Sequence, residues 1–305
     1  MIQTFDLALP HGITLACRSN GPADRLGVAS PGPRVVLIHG FPEAAFVWDE
    51  VMEALAPGAV CVAPQMRGYK GSSAPGDLAS YRAKHLVADL AALLDRVGAP
   101  VDLLVAHDWG GAVAWALAAQ KPELLRRLLI VNSPHPATFR RELKNNPAQQ
   151  SASAYMNFLC RPDAAALLAE DDFRRLWPFF GAEAQASWLS PAVMDRYRDE
   201  WRAGLEGPLN YYRASPLRPV TPTDSTLLKV DLDHDAVTVR VPTHVLWAEQ
   251  DRALLPALLD GLERWVPALT IERVPEASHW IVHEQPGRIV ETVRRLLGAP
   301  GTPAA

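Results

Sequence analysis

Val105-Ala106-His107-Asp108-Trp109-Gly110-Gly111 is the stretch whose reading decides the fold. The residues leading into it, Val101-Asp102-Leu103-Leu104-Val105-Ala106, form a short apolar run suited to the middle of a sheet. Those leaving it, Gly110 to Gln120, are alanine-rich helix formers. A buried strand therefore ends where a helix begins, and Asp108 stands at the corner. A turn that sharp needs small neighbours, which Ala106 and Gly110 supply, and it exposes one side chain beside the free backbone N–H groups of the helix. Asp108 then has two readings. It caps the helix, a role aspartate fills well, or it is the reactive group of a nucleophile elbow. A carboxylate in that position is already ionised at neutral pH and attacks an sp3 carbon without a base, leaving an ester.

Working outward, the chain has 305 residues, 49% hydrophobic and 21% charged, enough for a large core with an insertion. Thirty basic against 34 acidic residues give a net charge of −4, which argues against a nucleic-acid surface. Cys17, Cys61 and Cys160 are too few and too scattered for a disulfide framework or a zinc knuckle, so a reducing compartment is expected. The start, Met1-Ile2-Gln3-Thr4-Phe5-Asp6, lacks the basic, then apolar pattern of a signal peptide, and no apolar run reaches membrane-spanning length. The expectation is a cytoplasmic protein, monomer or homodimer, without membrane or nucleic-acid partner. No cofactor or metal is expected: Arg67-Gly68-Tyr69-Lys70-Gly71-Ser72-Ser73 lacks the lysine-serine order of a P-loop, His279 and His283 have no accompanying His-Glu-x-x-His motif, and Asp231 to Asp235 reads as a solvated acidic linker.

Along the chain, Phe5–Leu9 and Ile13–Cys17 read as a hairpin around Pro10-His11-Gly12. Strands follow at Arg34–Ile38, Ala59–Ala63 and Leu128–Val131, with helices at 48–55 and 86–97. The first of these strands runs into His39-Gly40-Phe41-Pro42-Glu43. After Pro136 the alternation stops, and helical pieces rich in Trp, Tyr, Phe and Arg are punctuated by Pro147, Pro162, Pro178 and Pro191. Val237–Val241 reads as the return to the core. Val245–Asp251 and Thr270–Val274 supply the last strands, followed by His279 and a helix around Arg288–Leu297. The expected division is a core of residues 1–136 and 236–298, a helical lid of 137–235, and a disordered tail of 299–305.

The elbow and the His39-Gly40-Phe41-Pro42 loop together resemble the α/β-hydrolases that use an aspartate nucleophile, namely epoxide hydrolases and haloalkane or haloacid dehalogenases. The resemblance extends over about 34–298 and implies a mostly parallel central sheet flanked by helices with an inserted helical cap. It also implies a triad in the chain order nucleophile, acid, histidine: Asp108, Asp251, His279. The backbone N–H groups of Phe41 and Trp109 fall at the oxyanion-hole positions. Gly207-Pro208-Leu209-Asn210-Tyr211-Tyr212-Arg213 is similar to the Leu-Asn-Trp-Tyr-Arg segment of epoxide hydrolases, which puts a ring-opening acid at Tyr212; Tyr155, early in the cap, is the candidate for the second. His107, Trp109, Phe41, Tyr211 and Trp280 are the expected pocket residues.

The implied reaction opens a small apolar epoxide to a vicinal diol through an aspartyl ester, hydrolysed by a water that His279 and Asp251 activate. Two alternatives stay open. A dehalogenase would run the same ester chemistry on a halogenated substrate, but position 41 is phenylalanine where haloalkane dehalogenases usually place asparagine, and the arginines of fluoroacetate dehalogenases fall on Trp109 and Ala112. A non-catalytic small-molecule binder on the same fold is the other.

Overall fold

The computed structural model describes residues 1–22, 27, 32–181 and 187–298; the tail expected at 299–305 and part of the loop before Arg34 lie outside them. Eight strands form one sheet: β1 (Gln3–Ala8), β2 (Thr14–Ser19), β3 (Arg34–Ile38), β4 (Val60–Pro64), β5 (Leu103–His107), β6 (Leu128–Val131), β7 (Thr243–Ala248) and β8 (Leu269–Val274). Their order is β1-β2-β4-β3-β5-β6-β7-β8. The β1–β2 and β2–β4 pairs are antiparallel and the rest parallel. Every residue of β5, β6 and β7 is buried, the reason these strands read as unbroken apolar runs: in a parallel sheet helices cover both faces. Helix Ala83–Val97 buries Leu86, Leu90, Leu93, Leu94 and Val97, and stops at Gly98, whose φ of 103° suits glycine. Helix Pro286–Gly298 buries Ile289, Val290 and Val293.

Because β3, β5, β6, β7 and β8 run parallel, their C-terminal ends share one edge, where open α/β sheets gather their functional loops. Between β6 and β7 the chain is helical, with longer pieces at Pro136–Asn145, Ala164–Phe173, Pro191–Arg202 and Glu206–Ala214. Of the prolines that punctuate the sequence there, Pro147 and Pro191 open helices, as Pro136 does before them, each in a first-turn position whose N–H needs no partner. Trp201 Nε1 donates to Pro42 O at 2.8 Å and Arg196 pairs with Asp49 at 2.6 Å, fastening this layer to the core. The chain then returns to the core around Val237–Val241. His234–Val237 is a short helix capped by Asp233, Val239 and Val241 are buried without strand structure, and β7 starts only after Pro242, which has no N–H to offer a ladder.

Candidate active site

Asp108 is the first residue of helix Asp108–Gln120 and adopts φ 49°, the left-handed region that a non-glycine residue enters at a cost of roughly 1–2 kcal/mol. Its surroundings enforce the bend. A Cβ on Gly110 would lie 2.6 Å from His39 O, one on Gly111 2.3 Å from Ser133 Cβ, and one on Gly40 2.3 Å from Asp108 Oδ1. Ser133 Oγ donates to Asp108 O at 2.7 Å. The carboxylate makes no helix cap; Oδ1 accepts the Phe41 N–H at 2.8 Å. The His39-Gly40 turn that aims this N–H is itself braced. His39 Nδ1 bonds Gly40 O at 2.9 Å and Nε2 accepts Met66 N–H at 3.1 Å. Burial lowers the His39 pKa to about 4, so the ring stays neutral and fills one donor and one acceptor role.

Across the same edge, His279 Nδ1 is 2.6 Å from Asp251 Oδ2, and its Nε2 is 3.8 Å from Asp108 Oδ2. Asp251 is buried but well solvated by the protein. It accepts Ala253 and Leu254 N–H at 2.8 and 2.9 Å, and the Asn132 amide at 2.9 Å. Burial pushes its pKa up; the His279 charge and hydrogen bond, with these further donors, outweigh that and hold it below the ordinary carboxylate value. Burial likewise disfavours imidazolium at His279, yet Asp251, and after it Asp108 and Glu43, raise its pKa to about 9. Asn132, which follows β6, has φ 38° and also bonds Ala248, tying the ends of β6 and β7 together beneath the acid.

A second buried carboxylate lies behind the histidine. Glu43 Oε2 is 2.8 Å from His107 Nδ1, and Oε1 is 3.1 Å from His283 Nε2. His107 Nε2 in turn donates to His279 O at 3.0 Å, and Tyr197 OH is 2.7 Å from His283 Nε2. Burial works to raise the Glu43 pKa, but the two histidines outweigh it and keep the carboxyl ionised. His107, expected in the substrate pocket, is therefore corrected: it is fully buried, outside the cavity, and spans Glu43 and the His279 backbone. As the last residue of β5 its ring is held by Glu43 and the His279 carbonyl, while Asp108, at φ 49°, turns its carboxylate toward the cavity.

Asp108 sits where two lobes of a cavity meet, and both lobes are bordered by Tyr155 and Tyr212 as well. The lobe of about 620 Å³ also contains Phe41, Trp280, His279 and Asp251; the other, about 300 Å³, contains Trp109 and Tyr211. Burial raises the Tyr155 pKa, as do Asp108 and Asp251, against a hydrogen bond to Tyr212. Tyr212 is raised by burial and then by Tyr155 and Asp108. Both phenols are thus protonated donors at neutral pH. Tyr211 is held differently, its hydroxyl donating to Arg67 O at 2.8 Å. Arg67 is locked in turn by Asp89, at 2.7 Å to each oxygen. Gly68 and Gly207 bring the loop and the tyrosine helix into backbone contact: a Cβ on Gly207 would lie 2.2 Å from Gly68 O. Sequence reasoning missed Asn132, Glu43, Tyr197 and His283. Glu43 had a signal, since it closes the His-Gly-Phe-Pro loop, whereas the others carry none until the fold brings them together.

Comparison with known proteins agrees with this fold. The family model described as alpha/beta hydrolase fold matches residues 33–286. The chain is 33% identical over 291 residues to the AB hydrolase superfamily protein YfhM of Bacillus subtilis, covering 94% of this chain and 95% of that one. It is 30% identical to epoxide hydrolase 3 of Xenopus tropicalis, covering 87% of this chain and 71% of that one. Among solved structures, the Bacillus megaterium epoxide hydrolase in complex with an inhibitor superposes with a TM-score of 0.85 at 28% identity, over 97% of this chain and all of that one. An epoxide hydrolase from metagenomes of hot environments gives 0.84 at 32% identity, over 98% of this chain and all of that one. No helix among the described residues is long and apolar enough to cross a membrane. With the elbow, the histidine and its acid on one sheet edge beneath a helical insertion, the chain belongs to the α/β-hydrolase family and is an epoxide hydrolase-like enzyme within it.

Proposed function

We propose that the protein opens epoxides to vicinal diols through a covalent ester on Asp108. The observation that carries this reading is that Asp108, Tyr155 and Tyr212 border one cavity while His279 Nε2 stands 3.8 Å from the carboxylate. Asp108 attacks a ring carbon; the C–O bond breaks, and Tyr155 and Tyr212 donate to the departing oxygen, which takes a proton. His279, oriented by Asp251, then removes a proton from a water that attacks the carboxyl carbon of Asp108. The Phe41 N–H, already on Oδ1 at 2.8 Å, and the Trp109 N–H stabilise the oxyanion, at ~3 kcal/mol for a donor of this kind. Collapse of that intermediate releases the diol.

The same nucleophile serves a dehalogenase, and Trp109 beside Asp108 is the residue that would favour a halide. Two phenols over the carboxylate fit an alkoxide better, since an oxygen leaving group needs proton donors and a halide does not. A side-by-side panel of epoxides, haloalkanes and haloacids tests the choice. Diol from epoxides without halide release is the expected result; halide release with inert epoxides overturns it.

A further inference from the structure

We propose that the smaller lobe seats an unbranched apolar arm of the substrate, with Ala112, Ala116 and Ala119 setting how long that arm is; the proposal rests on the epoxide reading and names its substrate class. The lobe starts at Asp108 and follows helix Asp108–Gln120 to Gln120. On that helix Ala114, Leu117 and Ala118 are buried in the core away from the cavity, whereas Ala112, Ala116 and Ala119, with Val113 between them, face it, and Gln120 is exposed at its far end. These three alanines fall at helical spacing on one side. The opposite wall comes from the inserted segment and is apolar: Phe139, Met156, Leu217, Val230, Leu232 and Val237. A cavity of about 300 Å³ so lined, with few polar groups to hydrogen-bond water, favours an apolar occupant. The larger lobe differs in kind, with Gln250, Arg252, Ser278 and Glu284 on its walls, and suits the polar side of the substrate.

The distances set a ruler. At ~1.5 Å per residue Asp108 to Gln120 spans roughly 18 Å. An extended chain advances ~1.3 Å per bond, so about fourteen carbons reach the open end. Ala116 stands roughly 12 Å along and Ala119 roughly 16 Å. The substrate class is therefore a terminal epoxide on a straight chain of about ten to fourteen carbons.

The test measures kcat/KM for 1,2-epoxyalkanes of four to sixteen carbons with the full chain and with Ala116→Phe and Ala119→Phe. In the parent, kcat/KM climbs about threefold to fourfold per methylene and levels off near fourteen carbons. Ala116→Phe moves the plateau to about nine carbons and Ala119→Phe to about twelve, so that the ratio of long-chain to short-chain kcat/KM falls at least tenfold in the first. A plateau at the same length in both variants, with unchanged circular dichroism and Tm, overturns the proposal. If no epoxide of any length is opened, the reaction reading fails by itself. The groove is then read by 1-alkanols of the same lengths displacing a fluorescent fatty amide, where chain-length dependence that shifts in the two variants sustains it and a flat series overturns it.

Discussion

His279 Nε2 and Asp108 Oδ2 lie 3.8 Å apart, near enough for their charges to interact and beyond the length of a good hydrogen bond. With Nδ1 held by Asp251, the other nitrogen faces the Asp108 carboxylate without hydrogen-bonding its oxygen. In the proposed mechanism this leaves Asp108 available to attack, with the imidazole beside the carboxyl carbon where the hydrolytic water would arrive. Esterification in that mechanism would remove the Asp108 charge, one of the influences that raise His279 to about 9, and so would shift the proposed base toward its neutral form.

The first prediction follows from that coupling. In single-turnover experiments the hydrolytic half-reaction should accelerate with pH through an apparent pKa below about 9, the value in the free enzyme. A rate that is flat or falling between pH 6 and 9 would sink the assignment of His279 as the base.

Stability should respond to the same group with a definite sign. The folded-state pKa of His279 lies above its ordinary 6.5, so its contribution is full below about pH 6.5 and is lost as pH climbs through about 9. Thermal melts should show Tm falling over that interval, and the fall should flatten in His279→Gln. An equally steep decline in the variant would assign the effect elsewhere.

The ring-opening acids give a third prediction. Tyr212→Phe and Tyr155→Phe should each slow alkylation of Asp108 by roughly tenfold or more, with Tm within a few degrees of the parent. Unchanged single-turnover alkylation in a folded Tyr212 variant would remove that phenol from the mechanism. Gly207→Ala, whose Cβ would meet Gly68 O at 2.2 Å, should displace the helix that carries Tyr212 and slow the same step.

How far such residues were legible depends on what decides their placement. Arg34–Ile38 and Leu128–Val131 were read to their ends because burial on both faces writes itself as continuous branched and aliphatic residues. That Asp108, Asp251 and His279 come together on one edge was legible because each follows a strand, and parallel strands deliver their C-terminal ends to one edge. Asn132 followed a strand too, yet an asparagine there resembles any turn residue; only its 2.9 Å bond to Asp251, 119 positions on, marks it. Ala112, Ala116 and Ala119 are fully accounted for by helix propensity, so nothing in the sequence says that a cavity runs beside them. His107 was misplaced for the opposite reason: proximity to Asp108 in sequence outweighed the bonds to Glu43 and the His279 carbonyl that hold its ring elsewhere.

Glu43 supplies a fourth prediction. Glu43→Gln removes the ionised partner shared by His107 and His283 at 2.8 and 3.1 Å, leaving those buried rings without their carboxylate acceptor. Stability should drop by ~1–3 kcal/mol. Because His107 holds the His279 carbonyl, hydrolysis of the ester should slow more than its formation. Equal slowing of both half-reactions would make Glu43 a structural support only.

The covalent claim has the most direct test. If Asp108 attacks carbon, the oxygen entering the product comes from its side chain, and water replaces that oxygen afterwards. One turnover in 18O-water with enzyme in excess should give largely unlabelled diol and label on the Asp108 peptide, while His279→Gln should accumulate a substrate-sized mass on that peptide. Diol labelled in the first turnover, with no adduct trapped in the histidine variant, would contradict the account.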